Sequence, residues 1–304
     1  MSYQVEFEFS PIYELVNSLE LFVHKRGIKN VDLGVDWVKK VQENLDAASV
    51  ELGDAKAIPC FNYLYLLIWQ SPEKEDINKF LHWLQTLQPG NLYEKLFSYV
   101  SDPLPADLEK IRNQYVKLLK VWEEVYFSAF DLDILDILRE SVMEWDDKRE
   151  HEEDPVVFVE KVSGGLKVEP YEGLQQIIMT PTYHTSPLIT TRKFKNIVHI
   201  QYPVDAPETA ADQPSKKLLR LSKALGDDNR LRILKLVKEG PKTFTEILQH
   251  FNISKSTVHH HIMLLRTAGL ISAYHTSECC SEAFVYRPLG MEELVDSFNA
   301  YLEK

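Results

Sequence analysis

Between Thr243 and Thr267 two short apolar-periodic runs follow one another with room for only a tight turn between them, which leaves this stretch few ways to fold. The first run opens on Thr243-Phe244-Thr245-Glu246. This is a capping box: the Thr243 hydroxyl can accept from the Glu246 amide while the Glu246 carboxylate reaches back. Ile247, Leu248 and Phe251 are its inward residues. Asn252 and Ile253 make the turn, and Ser254 caps a second helix over Lys255 to Thr267, with Val258, His261, Ile262 and Leu265 on its packed side. Two short helices so joined read as a helix-turn-helix, whose second member can lie in a major groove of DNA. The opposite arc of that helix carries Lys255, Ser256, His259 and His260. There, base edges and phosphates would meet side-chain donors and exposed helix amides.

The flanking sequence completes a module over residues 216–304. Lys217 to Leu225 reads as a helix with Leu218, Leu219, Leu221 and Leu225 apolar, stopped by Gly226. Asp227 or Asp228 caps another, with Leu231, Ile233, Leu234 and Val237 inward, ended by Gly240-Pro241. After Gly269, LISAYH and AFVYR read as two strands joined by TSECCSE, a hairpin wing. A last helix from near Met291 lines up Met291, Leu294, Val295, Phe298, Tyr301 and Leu302, more apolar area than so small a module needs. That stripe either packs on its own domain or forms a two-fold dimer contact together with Leu218 and Leu221 of the first helix.

Charge separates this module from the rest. The 304-residue chain has a formal net charge of -12, which by itself argues against a polyanionic partner. The total conceals two unlike parts: a net of -15 through Ser215 and +3 beyond it, with 11 Lys and Arg against 4 Asp and Glu between Lys216 and Arg266. A basic end on an acidic body would orient the docking of a polyanion. The break in character divides the chain into a body over residues 1–205, a Pro-, Ala- and acid-rich linker over 206–215, and the module over 216–304.

Helical periodicity dominates the body. A strand at YQVEFEF is followed by a helix entered through Ser10-Pro11, and others centre on Val38 and Val41, on CFNYLYLLIW, and on Ile77 to Leu87 before Pro89-Gly90. Pro105 to Trp145 reads as two helices broken near Asp131 to Asp133, and Glu144 to Asp154 as a solvated acidic end. After Pro155 the pattern turns β-branched: VVFVEKV, LKVE, LQQIIMT and NIVHIQY read as strands, with a hairpin turn at Gly164-Gly165. The fold class is mainly α with small sheets, α+β. Glycine-rich nucleotide loops and nucleophile or zinc-protease motifs are missing, and His82, His151, His184 and His199 have no metal-site spacing, so neither an enzyme nor a cofactor or metal site is expected.

The order ALGDDNRLRILKLV, then TFTEILQHFNISKSTVHHHIMLLRTAGLI, then a hairpin resembles the ArsR-type winged helix-turn-helix transcriptional regulators over about the last 85 residues. The resemblance implies a dimeric, usually repressing, DNA-binding protein whose grip changes when an effector binds. By position it implies recognition-helix roles for Ser254, Lys255, Ser256, Thr257, His259 and His260, and a structural one for His261. Metal sensors of the family often carry Cys-x-Cys where this chain has Thr243 and Thr245, and pair acidic and histidine residues on a last helix that here has no histidine. Metal sensing through either site is therefore disfavoured. The body is similar, through SPIYELVNSLELF, to the large domain that some regulators of the superfamily carry.

These readings converge on a cytoplasmic, homodimeric, sequence-specific reader of a double-stranded DNA operator, with an unidentified small-molecule effector as a further partner and no membrane contact. Lys255, Ser256, His259 and His260 would read bases. Ser254 and Thr257, with some of Lys216, Lys217, Lys242 and Arg266, would anchor phosphates, and Arg287 is the wing cation that could join them. Successive helical side chains diverge by about 100°, so His259, His260 and His261 cannot converge on one ion. Two alternatives stay open: a winged helix serving as a scaffold for another protein, and a thiol or metal sensor at Cys279-Cys280.

Overall fold

The computed structural model describes residues 2–25, 27–43, 45, 61–152, 154–207, 212–275 and 282–303. They divide into two compact units, residues 6–147 with 173–204, and the first five residues with 148–172 and 205–304. Among the described residues, no helix is long and apolar enough to cross a membrane.

The first unit is helical around a four-stranded sheet. Strand β1 (Gln4–Phe7) leads to α1 (Pro11–His24), which Ser10 caps by accepting from the Ile12 amide. Helices α2 (Gly34–Glu43), α3 (Asn62–Trp69), α4 (Ile77–Thr86), α5 (Pro89–Phe97), α6 (Leu108–Val125) and α7 (Leu132–Arg149) follow. Pro89, expected to close a helix, instead starts one, because its fixed φ and missing amide suit a first-turn position. Strands β3 (Gln176–Thr182) and β5 (Ile197–Pro203) run parallel at the centre of the order β1-β3-β5-β4, and β4 (Thr190–Lys193) closes one edge antiparallel to β5. The TTRK of β4 is polar and carries no strand pattern in the sequence.

α1 is enclosed on nearly every side, so its polar residues need partners inside the protein. Glu14 accepts from the backbone amide of His184 and meets its Nδ1 at 2.5 Å, while Tyr126 Oη joins His184 Nε2 at 2.8 Å and accepts from Trp37 Nε1. Asn17 ties Glu14 to Thr182 and accepts from Tyr65 and Gln201. Burial opposes the charge of Glu14, but His184 and the bonds from Asn17 and Thr182 outweigh it and hold the carboxyl below its usual range.

The second unit holds the helix-turn-helix. Helices α9 (Lys216–Leu225), α10 (Asp228–Lys238), α11 (Phe244–His250), α12 (Lys255–Thr267) and α13 (Leu289–Leu302) pack with a sheet ordered β2-β7-β8-β6. Its strands are β2 (Leu166–Val168), β6 (Lys242–Thr243), β7 (Ile271–His275) and β8 (Ala283–Tyr286). Residues 148–172, read from sequence as part of the body, fold here. VVFVEKV, expected as a strand, is helix α8 (Pro155–Ser163). Asp154 accepts from the amides of Val156 and Val157, Pro155 takes the first turn, and Gly164 ends the helix at φ 75. Together these caps outweigh a few tenths of a kcal/mol of helix penalty at each β-branched residue. Gly164-Gly165 is thus a helix stop leading into β2, not a hairpin turn.

Candidate nucleic-acid interface

The capping box forms as its residue types require: Glu246 N donates to Thr243 Oγ1 at 3.3 Å and Thr243 N to Glu246 Oε2 at 2.7 Å. The Thr243 amide, and after it the Thr243 hydroxyl, which donates to Glu246 Oε2 at 2.8 Å, hold the exposed Glu246 carboxyl below its usual range. Ser254 caps α12, accepting from Thr257 N at 3.1 Å, and its hydroxyl lies 2.9 Å from that of Ser256 and 2.7 Å from that of Thr257. Val258, His261, Ile262 and Leu265 turn inward, whereas Lys255, Ser256, His259 and His260 are exposed and Thr257 is half-buried. Phe244 of α11 borders this arc, its ring 6.4 Å from that of His259 and 6.0 Å from Lys255 Nζ. The structure thus brings together on one solvent face the four side chains assigned to base reading.

His261 is built into the packing, with Nδ1 3.8 Å from Asp227 Oδ1. Burial pushes its pKa down, with Asp227 pulling the other way. Asp227 also caps α10, and Arg230 turns back from that helix to donate to the carbonyls of Ala224 and Lys223 at the end of α9. The Arg230 bonds tie α9 to α10, and α12 packs against both through its buried side, which gives the exposed arc one support.

The outlying cations fare differently. Lys242 is half-buried in β6, where it pairs with Phe284 of β8. Arg266 is half-buried and donates to Glu282 at 2.9 Å, so phosphate would have to compete with that carboxylate. Lys217 lies 3.3 Å from Glu293. Arg287 must be withdrawn from the DNA-facing set: it is 2% exposed and donates to the Gly269 carbonyl and bidentately to Glu293. A guanidinium enclosed in this way cannot reach phosphate without unfolding its surroundings. Four exposed cations that sequence reasoning did not single out, Lys223, Arg232, Lys235 and Lys238, lie on α9 and α10. Only their part in the local positive charge hinted at them.

The apolar stripe also needs correction. Leu218 and Leu221 are 4% and 0% exposed, buried within their own unit and closed to a partner. On α9 it is Leu219, a helical step away, that faces solvent, beside a last helix on which Val295, Phe298 and Leu302 are exposed while Met291, Leu294 and Tyr301 are half-buried. Cys279 and Cys280 lie outside the described residues. Among those described, no group of three or more His, Cys, Asp or Glu side chains could hold a metal ion.

Two short helices joined by a tight turn, backed by two more and followed by paired β7 and β8, define a winged helix-turn-helix protein. Residues 227–273 match the family described as bacterial regulatory protein, arsR family. Over 77 residues the chain is 39% identical to the transcriptional repressor SdpR of Bacillus subtilis (strain 168), an alignment taking in 25% of this chain and 80% of that protein. A crystal structure of an ArsR family transcriptional regulator aligns with 29% of this chain and 93% of its own at 20% identity, with a TM-score of 0.25. The chain belongs to the arsR family of bacterial regulatory proteins.

Proposed function

We propose that this protein is a homodimeric, sequence-specific repressor that reads a DNA operator with α12. The observation that carries the reading is the exposed arc Lys255, Ser256, His259 and His260 on a helix whose other side is buried. Lys255 and the imidazoles meet base edges, Ser254 and Thr257 meet phosphate, and the first-turn amides of α12 add a positive pole. The second copy is argued from Leu219, Val295, Phe298 and Leu302, apolar residues about half or more exposed on two helices that pack together. A pair of reading helices then meets two half-sites, which supplies the phosphate contacts one small module lacks. An open recess of about 490 Å³ on α4, lined by residues including Asp76, Lys79, His82 and Trp83, is where an effector could act on the first unit.

Selection of genomic duplex fragments on the wild-type protein, followed by anisotropy titration at two salt concentrations, tests the reading. Lys255→Ala combined with His259→Ala should remove at least tenfold of operator affinity, given ~1–3 kcal/mol for each good base contact, with helix content and molecular mass unchanged. Failure of the wild type to select any duplex in a salt-sensitive manner would sink it.

A further inference from the structure

The helix-turn-helix is held by a segment far outside the residues that match the family. The chain leaves the first unit after residue 147, forms α8 and β2 within the second, and returns at residue 173. β2 lies parallel to β7, Leu166 opposite Ala273 and Val168 opposite His275, so β7 is an inner strand of the sheet instead of an edge. Ala273 N donates to the Gly165 carbonyl at 2.8 Å, and Tyr3 Oη to that of Val168 at 2.8 Å. Phe158, Val159, Val162, Leu166 and Val168 are buried.

The contact falls where the recognition helix ends. After Thr267 the chain turns through Gly269 at φ 68 and enters β7. A Cβ on Gly269 would lie 3.3 Å from the Gly164 carbonyl, one on Gly165 2.9 Å from the Ile271 carbonyl, and one on Gly290 2.3 Å from the Gly269 carbonyl. Backbones from the end of α8, the end of α12 and the start of α13 therefore meet without room for side chains. At this junction Glu160, only 14% exposed at its side chain, accepts from the fully buried Ser272 hydroxyl with Oε1 and holds Lys167 Nζ at 3.1 Å with Oε2.

Resting on the operator-binding reading, we infer that Glu160 is a positioning residue for DNA recognition: by holding Ser272 it fixes the segment through which α12 is anchored to the sheet. A charge-assisted bond to a buried hydroxyl is strong, and its loss leaves that hydroxyl without an acceptor. Glu160→Gln can still accept from Ser272, whereas Glu160→Ala cannot.

Three measurements on the full chain test this. Glu160→Ala should weaken binding to the selected duplex about tenfold, as expected for an unsatisfied buried group. The salt dependence should stay unchanged, since no phosphate contact is touched. Hydrogen exchange should quicken in residues 268–275, and Glu160→Gln should return both affinity and exchange to near wild type. Wild-type affinity in Glu160→Ala despite faster exchange would overturn the inference, as would unchanged exchange. If the wild-type protein selects no duplex, the operator reading falls by itself, and exchange in residues 268–275 still decides whether Glu160 anchors that segment.

Discussion

Arg287→Met asks whether this arginine belongs to the wing's DNA contacts or to the protein's interior. The substitution keeps much of the aliphatic stem and removes three hydrogen bonds, one to Gly269 and two to Glu293 at 3.2 and 3.1 Å. Breaking a buried pair costs ~3–5 kcal/mol. Lys217 remains 3.3 Å from Glu293, so about 3 kcal/mol is expected, or roughly 10 °C in the melting of this unit. All five tryptophans lie in the other unit, so that loss should be followed by far-ultraviolet dichroism. Burial opposes the charge of Glu293, but Arg287 and Lys217 together hold its carboxyl below its usual range. Stability from that depression is present above the unfolded value, about 4.3, and is lost as pH falls through the folded one, so Arg287→Met should flatten the acid limb. In operator titrations the slope of log affinity against log salt should match wild type, since a lost phosphate contact would lower it by about 0.9. A reduced slope with an unshifted melt would refute the reasoning.

In the first unit, Glu14→Ala strands His184 and should destabilise by ~3–5 kcal/mol, read by tryptophan fluorescence. Because the Glu14 carboxyl is held below its ordinary range, its stabilisation is complete above about pH 4.3 and fades with acid, so the variant should lose less stability than wild type on acidification. Phe298→Asp, made at a residue 49% exposed, should leave the fold intact and shift sedimentation from dimer to monomer. An unshifted dimer would place the two-fold contact elsewhere.

Local chemistry made the helix-turn-helix legible. Thr243 with Glu246, Ser254 and Asp227 satisfy amides within their own first turns, so residue type and spacing suffice to locate the helices and the exposed arc of α12. Leu218 and Leu221 were correctly seen as apolar, but which arc of α9 the rest of its unit would cover could not be read from one helix. Arg287 and Glu160 were opaque for a different reason. A charged side chain reads as surface until the backbone carbonyls, hydroxyls and carboxylates that can satisfy it inside are brought to it from elsewhere.

The same division accounts for residues 148–172. Their own caps make α8 a helix, against the β-branched pattern, and that information was present in Asp154, Pro155 and Gly164. What the chain order could not disclose is that β2 finds its hydrogen-bonding partner in β7, more than a hundred residues later. Helix ends are settled by groups a few residues apart, so amino-acid order determines them. A strand's partner depends on which edge remains open once all the elements have packed, and only the tertiary structure decides that.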